Sequence, residues 1–123
     1  MITLVIHGMP HLFSPGGVAS DQVFHALLHS LQVATANSLG INTDDVSVFF
    51  PADLVRSGLG EELVCFVEGV WEKPFDVRKN MAGAIVRVFR DFAAIYLLHC
   101  KKVEVLVRHF SQDLDVFVAG NLR

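Results

Sequence analysis

Four short stretches of the chain are apolar almost without interruption, and two longer ones repeat apolar residues at helical spacing. Leu4-Val5-Ile6, Val48-Phe49-Phe50, the run from Leu63 to Val67 and Val105-Leu106-Val107 form the first group. β-Branched and aromatic side chains dominate them, and such residues suit a pleated, packed surface. With their flanks they predict strands over Met1–Gly8, Val46–Phe50, Leu63–Trp71 and Val103–Phe110. The second group holds Phe24, Leu27, Leu28, Leu31 and Ala34, then Val77, Met81, Ile85, Val88, Phe89 and Phe92. This spacing predicts two amphipathic helices.

Turn chemistry sets the boundaries. Pro10, Pro15, Gly16 and Gly17 mark a loop over residues 8–19, Pro by fixing φ and Gly by permitting positive φ. Ser20 is the candidate N-cap of the first helix, and Asp21 places a negative charge where the helix dipole favours it. Gly40 is its candidate C′ residue. A polar turn, Ile41–Asp45, leads into the second strand, which Pro51 ends by removing a ladder donor. The connection from Ala52 to Glu62 is longer than a tight hairpin requires. Asp76 is the expected cap of the second helix, whose Arg78, Lys79, Arg87 and Arg90 fall mainly opposite its apolar face. Its tail, around Ile95–His99, is not fixed by the pattern. Beyond Phe110, a turn at Ser111-Gln112-Asp113 precedes a short edge strand, Leu114–Val118, and a frayed end.

The order is strand-helix-strand, twice over. We read one domain over 1–123 built as a duplicated βαβ unit, about 1–51 and about 62–110, with right-handed crossovers. A half-exposed strand alternates apolar and polar residues, whereas these four are apolar on both parities. Two helices cover only one face of a four-stranded sheet. The other face needs a cover, and a closed homo-oligomer supplies it without a third helix.

Composition narrows the class. The 123 residues carry a net charge of −3 and no clustered excess of Lys and Arg, so no nucleic-acid partner is expected. The most apolar long stretch, Met81–Leu98, is interrupted by Arg87, Arg90 and Asp91 and is not a membrane span. The mean hydropathy of +0.46 and the 52% apolar residues again ask for burial beyond one small domain. Without a signal-peptide pattern, and with two cysteines far apart in sequence, a cytoplasmic location is expected.

Candidate chemistry is sparse. The α-amine of Met1 begins the first strand, where burial would retune its basicity. Glu68 is the single charge of an apolar strand; it is a candidate pocket carboxylate, while a residue that points to solvent at the strand end or pairs with a nearby Arg is the favoured reading. Arg108 and His109, on the fourth strand, and Arg56, in the long connection, are candidate anion contacts. The bland alternative for these three, a solvated loop or edge residue, is favoured. His25 and His29 stand at i and i+4, and His7 and His11 share that spacing across a loop. No third ligand is evident, so neither a metal nor any other cofactor is expected. Cys65 has no cationic neighbour in sequence and reads as an inert core thiol.

Two βαβ units in this length, with a first helix closing as Ser38-Leu39-Gly40-Ile41-Asn42-Thr43-Asp44-Asp45-Val46 into an apolar strand, resemble the tautomerase superfamily. That group includes macrophage migration inhibitory factor and bacterial relatives. The resemblance implies an α/β fold with a four-stranded mixed sheet, two helices on one face and a short C-terminal edge strand. It also implies a homotrimer whose sheets face a central space. Family chemistry uses an amino-terminal proline as general base, with arginines after the first strand and within the second. Here Met1-Ile2 stands at the start, and His7, Gly8 and Ser47 occupy the arginine stretches. The small second residue that methionine removal requires is absent, so retention of Met1 is expected.

Two functions follow from the resemblance. One is isomerisation, or a related lyase reaction, of a small keto or enol acid at a subunit-interface pocket near Met1. The other is a catalytically inactive trimer serving as a binding or scaffolding module. A ferredoxin-like domain shares the element order, but it separates the first and second strands, which the tautomerase arrangement makes parallel neighbours.

Overall fold

The first strand, β1 (Ile2–His7), buries every second side chain: Ile2, Leu4 and Ile6 are closed off while Thr3, Val5 and His7 stay partly open. The computed structural model describes residues 2–8, 18–50, 62–70, 72–95 and 102–108. Within them β1 is followed by α1 (Val18–Leu39), β2 (Val46–Phe49), β3 (Glu62–Glu68), α2 (Phe75–Ile95) and β4 (Lys102–Val107). The strands form one sheet in the order β2-β1-β3-β4. β1 and β2 are parallel neighbours, β1 and β3 antiparallel, and β3 and β4 parallel. The adjacent parallel pair β1–β2 excludes the ferredoxin-like alternative, and the sheet is mixed as the duplicated βαβ reading requires.

Both helices cover the same side of the sheet. Leu27 and Leu31 of α1 and Met81, Ile85 and Phe89 of α2 join Leu4, Ile6, Leu63, Cys65 and Val67 in one buried cluster. The helical members of that group, Leu27, Leu31, Met81, Ile85 and Phe89, were legible from their spacing, whereas the strand members sat in runs apolar on both parities. Burying a side chain of this size contributes roughly 1.5–3 kcal/mol, so the shared face is a major source of the fold's stability. Gln32 Nε2 donates to the Val46 carbonyl oxygen at 3.0 Å and ties α1 to the start of β2. The buried Thr35 hydroxyl donates to the Leu31 carbonyl oxygen at 2.7 Å, so it costs no unsatisfied group.

Several boundaries move by a few residues. α1 starts at Val18, so Ser20 lies inside the helix rather than capping it. α2 starts at Phe75, which puts Asp76 in the first turn, where its charge still meets the helix dipole. β3 ends at Glu68 instead of Trp71, because Gly69 turns the backbone to φ 93° and leaves the ladder. Gly8, at φ 98°, ends β1 in the same way. β2 stops at Phe49, one residue short of expectation, and β4 at Val107, with Arg108 already outside the ladder. Gly40 holds φ 68° as the C′ residue, and the Ile41 N–H closes the helix on the Ala36 carbonyl oxygen at 3.0 Å. The loop over 9–17, the connection over 51–61, the tail after Ile95 and the edge strand at Leu114–Val118 lie outside the described residues.

Candidate functional site

Strand alternation sorts the remaining side chains onto the sheet face away from the helices. The register pairs Ser47 with Thr3 and Thr3 with Glu68, giving a polar row at the end of the sheet where β1 begins. Arg108 follows β4 at the same end, its N–H donating to the Val67 carbonyl oxygen at 2.8 Å. The Arg108 guanidinium completes the row: Nη1 donates to Glu68 Oε1 at 3.1 Å. Its carbon also stands 4.0 Å from the centroid of the Phe66 ring, a cation–π stack.

The neighbouring row is apolar throughout. Phe49, Val5, Phe66 and Leu106 are register partners across all four strands. The outer two are open to solvent, Phe49 at 55% and Leu106 at 43%. His7 lies one row further, its ring edge-on to Phe66 with centroids 5.8 Å apart. The face therefore offers a carboxylate, a guanidinium and two hydroxyls beside an aromatic floor. A guanidinium carries five N–H donors, and the Glu68 contact uses one of them, so Arg108 suits a bidentate carboxylate contact.

Of the residues singled out from sequence, Glu68 and Arg108 come together, and Glu68 is indeed the partner of an arginine. Met1, Arg56 and His109 lie outside the described residues, as does His11. His25 and His29 are exposed on α1, and among the described residues no group of three or more His, Cys, Asp or Glu is placed to hold a metal ion. Cys65 is buried, and burial pushes its thiol up to about 12, in keeping with an inert core thiol. Sequence reasoning missed Thr3 and Phe66. Their parity with Glu68, odd against even across an antiparallel pair, was the only signal for them. Among the described residues no helix is long and apolar enough to cross a membrane.

No protein-family profile matches the chain, and no curated protein matches its sequence. Solved structures do match its shape. A fused 4-OT protein solved as an asymmetric trimer aligns over 97% of this chain and 94% of its own, at TM-score 0.68 and 13% identity. A structure captured after inactivation by 2-oxo-3-pentynoate aligns over 87% and 84%, at TM-score 0.56 and 16% identity. Macrophage migration inhibitory factor of Toxoplasma gondii aligns over 89% and 90%, at TM-score 0.57 and 14% identity. With the parallel β1–β2 pair, the mixed sheet and both helices on one face, these likenesses establish that the chain has the tautomerase-superfamily fold.

Proposed function

We propose that the chain is a homotrimeric tautomerase-like protein that binds a small keto or enol acid at the end of the sheet where β1 begins. The observation that carries this reading is the Arg108–Glu68 pair on Phe66, one residue pair from Ile2. Arg108 receives the acid's carboxylate, and the apolar row accepts its carbon skeleton. Ketonisation moves the enol O–H proton to the neighbouring carbon without changing the atom count. A base takes the first proton and an acid delivers the second. The α-amine of Met1 is assigned the base role, and Arg56 a further anion contact from a neighbouring subunit. The inactivation of one structural neighbour by a 2-oxo acid supports this substrate class, and the trimeric state of another supports self-association.

Ile2, where the family places its chemistry on a proline, favours a second reading: a non-catalytic trimer that binds the acid without turning it over. Ketonisation of phenylenolpyruvate separates the two. The active reading expects turnover by the native chain and at least a tenfold rise in KM for Arg108→Ala. Turnover only in an Ile2→Pro variant would establish the non-catalytic reading. Light scattering tests the trimer independently, and a monomer would sink it.

A further inference from the structure

The helical layer carries a pair of ligand side chains that neither the core nor the open sheet face uses. His25 and His29 lie in the interior of α1, a helix of 22 residues, four positions apart. At about 3.6 residues per turn that step returns to the same flank, with Cβ atoms about 5–6 Å apart. Both histidines are exposed, whereas Leu27 and Leu31 of the same helix are buried in the shared core. Packing thus fixes the backbone beneath the pair without covering the rings. Other polar side chains of α1 are committed inside the fold: Gln32 donates to the Val46 carbonyl oxygen, Thr35 to that of Leu31 and Ser38 to that of Ala34. The two imidazoles differ, because neither makes a hydrogen bond or ion pair with another described residue. Their ring nitrogens are open to a ligand.

Charge and donor type narrow what that ligand is. α1 contains no Lys or Arg, so no fixed cation on the helix opposes a bound one. A neutral imidazole suits Zn(II), Cu(II) and Ni(II), whereas Mg(II) and Ca(II) take oxygen donors. With metal–nitrogen bonds of roughly 2.0–2.1 Å, two imidazoles at this spacing reach adjacent positions around one ion. A closed structural zinc site needs more protein ligands, and among the described residues no group of three or more is placed to supply them. An open chelate has no such need, because water fills the remaining positions. We propose that His25 and His29 form a surface chelate on α1 for a divalent first-row transition-metal ion, Cu(II) in preference to Ni(II), with two imidazole nitrogens and water as its ligands. The pair belongs to the helix that covers one side of the sheet, and Arg108 to the other side, so this site does not depend on the acid-binding reading.

Isothermal titration of the untagged chain with Cu(II) chloride tests the chelate. One ion per chain should bind at this site, and His25→Ala and His29→Ala should each weaken that binding at least tenfold. Both side chains are exposed, so the variants should fold as the parent does, which circular dichroism checks. His7, His11, His99 and His109 remain in every variant, so equal affinity in parent and variants would overturn the proposal. His29→Ala combined with Ser30→His keeps the number of histidines but turns the second ring to another flank of the helix. That chain should bind as weakly as His29→Ala; recovery of the parent's affinity would show that histidine number, and not helical spacing, governs binding, and would overturn the chelate. Ni(II) chloride gives a second measure. An ion held by the folded helix more tightly than by the unfolded chain should raise the thermal midpoint of the parent and leave that of His25→Ala unchanged. An equal rise in both would remove the site from α1.

Discussion

Arg108 Nη1 reaches Glu68 Oε1 at 3.1 Å although the two residues are 40 positions apart. The parallel register of β3 and β4 brings them level, and the Phe66 ring stacks beneath the guanidinium at 4.0 Å. Both side chains are about half exposed, at 54% and 45%, so water screens the attraction. An ion pair of this kind contributes roughly 0–1 kcal/mol to stability. Its value lies in holding a guanidinium in place at the end of the sheet.

Glu68→Gln and Arg108→Ala should accordingly each shift the folding free energy by less than about 1 kcal/mol in urea titrations. Arg108→Ala should nevertheless abolish detectable binding of a small carboxylic acid by calorimetry, while Glu68→Gln keeps it. A loss of several kcal/mol in either variant would mean the pair is a structural tie and not a site.

The two faces of the helical layer should respond very differently to truncation. Phe89 is 1% exposed at the centre of the shared core, and Phe75 is 66% exposed at the start of α2. Phe89→Ala should cost about 3–5 kcal/mol through lost burial and an unfilled cavity. Phe75→Ala should fall within about 0.5 kcal/mol of the parent. Equal urea midpoints for the two variants would contradict the placement of the core.

Much of this fold was legible because its signals are local. Leu27 and Leu31, or Met81, Ile85 and Phe89, recur at intervals set by the helix alone, and Gly40 marks a left-handed turn that Gly adopts without strain. The site was less legible because it is made by register. Val5, Phe66 and Leu106 sit in runs that are apolar on both parities, so sequence could not say which side chains face the helices. Thr3 and Glu68 become neighbours only through the antiparallel pairing of β1 and β3. Helix starts were misplaced for a related reason: Ser20 and Asp76 have capping chemistry, but each helix begins upstream of them.

Gly40 offers a test at a single backbone position. Its φ of 68° lies in the left-handed region, and no atom stands within 4 Å of where a Cβ would sit. The cost of Gly40→Ala is therefore conformational and not steric, about 1–2 kcal/mol. Gly40→Asn should recover part of it, because Asn tolerates this conformation better. Thermal unfolding of the three proteins should rank Gly above Asn above Ala; Ala equal to Gly would mean the helix ends elsewhere.

Cys65 makes stability depend on pH in a defined window. Burial raises its thiol from an ordinary value of 9.0 to about 12 in the folded chain. Between those values the unfolded chain loses the thiol proton while the folded chain keeps it. The unfolded state then binds fewer protons, so unfolding becomes easier as pH rises from about 9 towards 12. Below pH 9 the contribution is fully present. Lysines and the single tyrosine also titrate in this range, so the comparison needs a chain that lacks only this thiol. In a Cys100→Ser background, the stability advantage of the parent over Cys65→Ala should be constant up to about pH 9 and shrink steadily above it. Urea titrations at half-unit steps from pH 8 to roughly 11 read the difference directly. A constant difference across that range would show that the thiol ionises equally easily folded and unfolded, and would move Cys65 out of the core.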